Sequence, residues 1–160
     1  MCEAQPIVEF LKLKKVDKNL FENEKFCVFI CGVGEKFGRN LEQRLANHKF
    51  DKIVNIGVAG VNHKSIEIGT LFCVNHLIDG IETATLQTVS KPQTVNNLPN
   101  ALTLFDMEGE YFLSVANKYF DSSKIFVFKI VSDYLDSKIL EKSFVSALVK
   151  SKIQKILENI

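Results

Sequence analysis

Unbroken apolar runs alternate along this chain with segments whose apolar positions recur every three or four residues. "KFCVFICGVG" (Lys25 to Gly34), "DKIVNIGVAG" (Asp51 to Gly60) and "KIFVFKIVSDY" (Lys124 to Tyr134) are continuous runs that close in glycines or an acid. Such runs read as strands buried on both faces. "GTLFCVNHLI" (Gly69 to Ile78), "IETATLQTV" (Ile81 to Val89) and "ALTLF" (Ala101 to Phe105) read as further strands. The helical segments are Ile7 to Lys14 after Pro6, Glu35 to His48 through Phe37, Leu41 and Leu45, and Met107 to Phe120. A last helix, Leu140 to Glu158, carries Phe144, Leu148, Ile153, Ile156 and Leu157 on one face. "SKPQTVNNLPN" (Ser90 to Asn100) is loop by composition.

Apolar strands separated by helices predict an α/β sandwich with its central strands covered on both faces. In such sheets ligands sit at the carboxyl ends of strands. That rule selects "CGVG", "NIGVAG", "FDMEGE" and "VSDY", four strand ends rich in glycine or acid. No internal repeat, low-complexity block or linker divides the chain, so residues 1–160 are expected to form a single domain.

Composition narrows the function classes. Of 160 residues, 46% are hydrophobic and 24% charged, the mix of a globular protein. A net charge of +1 supplies no field to hold nucleic acid or an anionic membrane. No stretch approaches the roughly 18 apolar residues of a membrane span, and "MCEAQPIVEF" is no signal peptide. Cys27, Cys31 and Cys73 lie in apolar runs and read as small buried hydrophobes, and with Cys2 they fit a reducing, cytoplasmic setting. No second ligand pair accompanies Cys27 and Cys31, so no metal site is expected.

Each motif carries a structural reading beside a functional one. "GVGEKFG" (Gly32 to Gly38) is near a dinucleotide-binding turn, but its spacing is off by one residue and no acid closes the second strand. That removes the main support for a dinucleotide-dependent oxidoreductase. "NIGVAG" serves either a tight turn or a small-residue floor beneath a ligand. His48 ends a helix, His63 sits in a loop, and His76, near a strand end, is the one histidine worth following. No Gly-x-Ser-x-Gly elbow is present. Asp133 follows an apolar run, and Glu108 opens a helix at another strand end. Asp133 is either an Asx-turn residue or a site acid, and Glu108 either a first-turn helix acid or its partner. Two carboxylates facing one cleft can divide the roles of proton donor and charged stabiliser.

These pieces resemble the purine nucleoside phosphorylase and nucleosidase superfamily. "CGVGEKFGRNLEQRL" and "FDKIVNIGVAGVNHKSIEIGTLFCVNHLIDG" are similar to its first half, with its Gly-x-Gly turn and Gly-x-Ala-Gly strand end. "LFDMEGEYFLSVANKYF" resembles its Met-Glu helix and "IFVFKIVSDYLD" its Ser-Asp strand. The branch most resembled is the methylthioadenosine/S-adenosylhomocysteine nucleosidases. The resemblance implies an α/β fold with a phosphorylase-like mixed central sheet, flanked by helices on both faces in three α/β/α layers. It implies that Met107 packs against ribose and Glu108 holds its 2′-hydroxyl. Asp133 would protonate N7 of the purine, oriented by Ser132, and Val58, Ala59 and Gly60 would line the ligand. "MCEAQPIVEFL" is similar to the start of the family's first helix, which makes Glu3 the water-activating base.

Three departures qualify the pattern. The family's first strand should precede Cys2, the middle portion is compressed into "ETATLQTVSKPQTVNNL", and Val58 stands where many members carry serine. Asn55 stands where phosphorylases tend to carry arginine. With neither arginine nor hydroxyl for phosphate, hydrolysis of an adenosine-type nucleoside is expected rather than phosphorolysis. The alternative is a catalytically reduced member that binds nucleoside or serves as a non-catalytic subunit. The resemblance implies a homodimer, a purine nucleoside ligand and no cofactor.

Overall fold

The structure, a computed structural model, describes residues 2–46, 49–91, 98–136 and 139–160. Helix α1 (Ala4–Phe10) is followed by β1 (Lys14–Asp17), β2 (Leu20–Glu22) and β3 (Cys27–Phe29), a three-stranded antiparallel sheet in that order. Helix α2 (Glu35–Leu45) leads to β4 (Ile53–Val61), β5 (Leu71–Cys73), β6 (Thr85–Thr88) and β7 (Thr103–Asp106). Helix α3 (Gly109–Ala116), β8 (Ile125–Asp133) and α4 (Lys142–Leu157) complete the chain.

The central sheet has five strands in the order β5-β8-β4-β7-β6. β4 and β8 run parallel over their whole lengths, from Ile53 opposite Ile125 to Gly60 opposite Asp133, with a bulge after Ala59. β7 runs antiparallel to β4 and meets it only at Gly60–Phe105 and Val61–Leu104. β6 is parallel to β7, and β5 antiparallel to β8. The sheet is mixed, as expected.

Helices cover both faces. On one, Ile7 of α1 and Val149, Ile153 and Ile156 of α4 pack on Phe128 and Ile130. On the other, Leu41 and Leu45 of α2 and Phe112 and Val115 of α3 pack on Ile125 and Val127. Successive side chains of a strand point to opposite faces, so β8 must be apolar at both sets of positions, and its sequence is. Cys31 and Cys73 are buried and Cys27 half-buried; burial pushes the thiols of Cys27 and Cys31 up to about 11, which leaves them uncharged.

The apolar run at Lys25–Gly34 departs from expectation. It contributes only β3 and pairs with β2 outside the central sheet. Gly32 and Gly34, at φ 90° and 62°, turn the chain away before α2. The first helix lies earlier than its apolar spacing suggested, ending before Lys12, which has φ 54°. β1 and β2 were not read from the sequence: every residue of β1 is exposed and so carries no alternation, and β2 is only three residues long. His48 and residues 92–97 of the expected loop lie outside the described residues. Among the described residues, no helix is long and apolar enough to cross a membrane.

Candidate active site

Because β4 and β8 are parallel and in register, the ends "VAG" and "VSD" arrive together. Asp133 sits opposite Gly60, and a Cβ on Gly60 would stand 2.8 Å from Asp133 Oδ1. The Leu135 N–H donates to that same Oδ1 at 2.9 Å, closing an Asx turn. The structural reading of Asp133 therefore holds, but it occupies one oxygen only. Oδ2 faces the Ser132 hydroxyl at 2.7 Å, and that hydroxyl also reaches the Ala59 carbonyl at 3.2 Å. A hydroxyl has one hydrogen to give. When Asp133 is charged, Ser132 donates to it. When Asp133 is protonated it donates to Ser132, which turns its hydrogen to Ala59. These hydrogen bonds can be made with either form of the acid.

The carboxyl end of β7 supplies the second group. Asp106, not Glu108, caps α3: its Oδ2 accepts the Gly109 N–H at 2.8 Å, and its Oδ1 accepts the Thr88 hydroxyl at 2.6 Å. Glu110, the acid in the first turn, accepts the Thr88 N–H at 3.4 Å. Glu108 makes no cap bond. Its Oε1 instead accepts the Gly34 N–H at 3.4 Å, which brings the "CGVG" turn to the same place. Burial raises the Glu108 carboxyl above its ordinary value of 4.5; the Lys129 ammonium opposes this, Asp106 adds to it, the Gly34 N–H opposes it, and Glu3 adds to it. Met107 beside it is half-buried.

Glu3 approaches β4 ahead of the β7 pairing. Its Oε1 accepts the Val58 N–H at 2.9 Å, a strand-edge donor that β7 does not reach. Gly57 makes room for it: a Cβ there would lie 3.0 Å from Glu3 Oε1 and 3.4 Å from Lys129 Nζ. Lys129 and Asp106 form an ion pair of 2.7 Å, with side chains 2% and 1% exposed. Neither was read as a site residue. The signal was present in "FVFKIV", where a lysine interrupts a run otherwise suited to burial on both faces, and a buried ammonium requires a partner.

The structure thus brings Asp133, Ser132, Ala59 and Gly60 into direct contact, and connects Glu3, Val58, Lys129, Asp106 and Glu108 through contacts and charge. His76 stands apart: its ring nitrogen bonds the Ile125 carbonyl at 2.7 Å and its ring lies on Phe126. A ring nitrogen of His63 bonds the Asn100 carbonyl at 2.9 Å. A cavity of about 710 Å³, lined by Val74, His76, Leu86 and Leu113 among others, has no acid among the described residues of its wall. It offers volume without the chemistry gathered at the ends of β4, β7 and β8.

This mixed five-stranded sheet, covered by helices on both faces, is a fold shared with solved nucleosidase structures. Solved structures of nucleosidases and of a futalosine hydrolase match this fold over nearly the whole chain. The MTAN from Chlamydia trachomatis, in a structure bound to MTA, superposes with a TM-score of 0.77 at 18% identity, covering 98% of this chain and 93% of that one. The futalosine hydrolase of Helicobacter pylori gives 0.75 at 13% identity, with 98% and 91% covered. The 5′-methylthioadenosine/S-adenosylhomocysteine nucleosidase of Helicobacter pylori, solved with butyl-thio-DADMe-Immucillin-A, gives 0.75 at 13% identity, with 98% and 92% covered. No family model matches the chain, and no curated protein matches it. At these identities the likeness is one of fold.

Proposed function

We propose that residues 1–160 form one nucleoside phosphorylase-like domain that hydrolyses the N-glycosidic bond of an adenosine-type nucleoside of the methylthioadenosine/S-adenosylhomocysteine class. One observation carries this reading: two carboxylates meet β4 two residues apart, Glu3 on the Val58 N–H and Asp133 against Gly60.

In this mechanism Asp133 delivers a proton to N7 of the purine as the bond from C1′ to N9 breaks, so the base leaves neutral. Ser132 then turns its hydrogen from Ala59 to the charged Asp133. Glu3 takes a proton from the water whose oxygen bonds C1′, and the products are free purine and free sugar. Proton donors and acceptors placed in this way contribute about 100-fold or more each. Glu108 accepts from the ribose 2′-hydroxyl and, when charged, favours the cationic sugar of the transition state. Met107 supplies apolar contact beneath the ring, and Val58, Ala59 and Gly60 form the floor.

Glu3 separates catalysis from binding alone, since only hydrolysis needs a base beside the sugar. Its carboxylate is held on Val58, which supports turnover. Phosphate finds no cation at Asn55 and no hydroxyl at Val58, which supports water as the acceptor. The reading carries with it a cytoplasmic homodimer, for which sedimentation equilibrium is the test.

The deciding experiment is incubation with methylthioadenosine and S-adenosylhomocysteine, followed by chromatography for adenine. Release is expected, reduced about 100-fold or more in Asp133→Asn and in Glu3→Gln. Binding of intact nucleoside without release would assign the protein to the non-catalytic alternative. No binding and no release would overturn both.

A further inference from the structure

Lys129 is the only lysine or arginine that is buried among the described residues, and it lies in the middle of β8, between Phe128 and Ile130. A buried ion pair is poor evidence of stabilisation, because desolvating two charges offsets most of their attraction. An apolar residue would serve the core at least as well. The pair instead sits where three elements of the candidate site meet. Asp106 ties β6 through Thr88, α3 through the Gly109 N–H, and β8 through Lys129. Gly109 is required there, since a Cβ would collide with Leu86 and approach Asp106 Oδ2 to 2.9 Å. Met107 and Glu108 are the only residues between these two fixed points. Across Gly57 the same ammonium faces Glu3.

We propose that the Asp106–Lys129 pair is the positioning device of this site: Asp106 fixes the turn from which Glu108 projects, and Lys129 supplies the buried positive charge that Glu108 and Glu3 share. Four groups act on Glu108: Lys129 from β8, Asp106 from β7, Glu3 ahead of α1, and the Gly34 N–H ahead of α2. Lys129 is the one cation among them. Its removal leaves half-buried Glu108 among like charges, and removal of Asp106 leaves Lys129 to the two remaining carboxylates. The two substitutions therefore act on Glu108 in opposite directions. A role confined to holding the fold would instead loosen the site in both variants and move Glu108 toward its ordinary value in each.

The test follows the side-chain carboxyl of Glu108 by nuclear magnetic resonance in isotope-labelled protein as pH is varied. The midpoint is expected to rise in Lys129→Met, to fall in Asp106→Asn, and to stay in place in Lys129→Arg. Should Lys129→Met fail to fold, the double variant Asp106→Asn/Lys129→Met is compared with Asp106→Asn, and its midpoint is expected to be the higher. A midpoint that falls or stays in Lys129→Met, or a double variant no higher than the single, overturns the proposal. The kinetic consequence rests on the nucleosidase reading: kcat for adenine release falls roughly tenfold to a hundredfold in Lys129→Met, as for loss of a charge-assisted hydrogen bond, and returns in Lys129→Arg. A wild-type protein that releases no adenine would sink that reading, while the titration would still decide this one.

Discussion

Gly60 and Asp133 stand so close that a Cβ on the glycine would lie 2.8 Å from Oδ1 of the acid and 2.6 Å from Leu135 Cδ2. Neither neighbour is free to retreat. Oδ1 is held by the Leu135 N–H, and Leu135 is buried against Val89 and Phe105 with φ 61°. Gly60→Ala is therefore expected to cost about 1–3 kcal/mol, as overpacking does. It should also lower adenine release by more than its effect on folding, because the displaced atom belongs to the proposed acid. Urea denaturation and kcat measured on the same preparation separate the two; unchanged values for both would show that the turn can shift freely.

Ser132 offers a narrower test. Its hydroxyl serves Asp133 in one protonation state and Ala59 in the other, so Ser132→Ala removes a partner from both states of the acid. About 1 kcal/mol per hydrogen bond predicts a fall in kcat of roughly fivefold to tenfold. KM should change little, since Ser132 acts through Asp133. Ser132→Thr, which keeps the hydroxyl, is expected to recover most of the loss. Steady-state kinetics at several pH values would expose an error here: a large rise in KM would mean that Ser132 meets the nucleoside directly.

The layers of this fold could be read from the chain because they rest on burial, and burial leaves a periodic trace. β8 and β4 are long, parallel and covered on both faces, so their apolar runs were plain. Their glycine and acid endings marked where a site would form. Sheet membership could not be read in the same way. The run at Lys25–Gly34 is as apolar as the others, yet β3 pairs with β2, which in turn pairs with exposed β1, and pairing depends on partners that the run itself does not specify. Within the site, Asp133 and Glu108 stood out because acids interrupt apolar pattern at strand ends. Lys129 interrupts it in mid-strand, and only the position of Asp106 on another strand explains why a charge is tolerated there.

That ion pair predicts an asymmetry in stability. Lys129→Met leaves Asp106 charged, buried and holding only its hydrogen bonds, a situation that costs about 3–5 kcal/mol. Asp106→Asn keeps oxygen and nitrogen in place to meet Gly109 and Thr88, but leaves a buried ammonium without its counter-charge. The double variant Asp106→Asn/Lys129→Met carries neither orphaned charge and should be more stable than Lys129→Met alone. A double-mutant cycle by chemical denaturation measures this coupling. Simple addition of the two single losses would mean that the pair is not coupled in solution.

Glu108 gives the protein a pH dependence whose sign follows from its burial. Its carboxyl is raised in the folded state, with burial the first cause, so between its ordinary value of 4.5 and the raised one the folded chain holds a proton that the unfolded chain has lost. Where the folded state binds more protons, stability falls as pH rises. The contribution of Glu108 is thus neutral below the ordinary value, becomes unfavourable as pH climbs through that window, and stays so above it. Glu108→Gln, which cannot ionise, should follow the wild-type curve at the acid end and exceed it near neutrality. Urea midpoints taken across this range for both proteins make the comparison. The same substitution is expected to lower adenine release while raising stability, the trade expected of a charge kept buried for the sake of a transition state rather than the fold. A Glu108→Gln protein less stable than wild type near neutrality would show that the charged carboxylate, held by Lys129 and the Gly34 N–H, stabilises the folded chain instead.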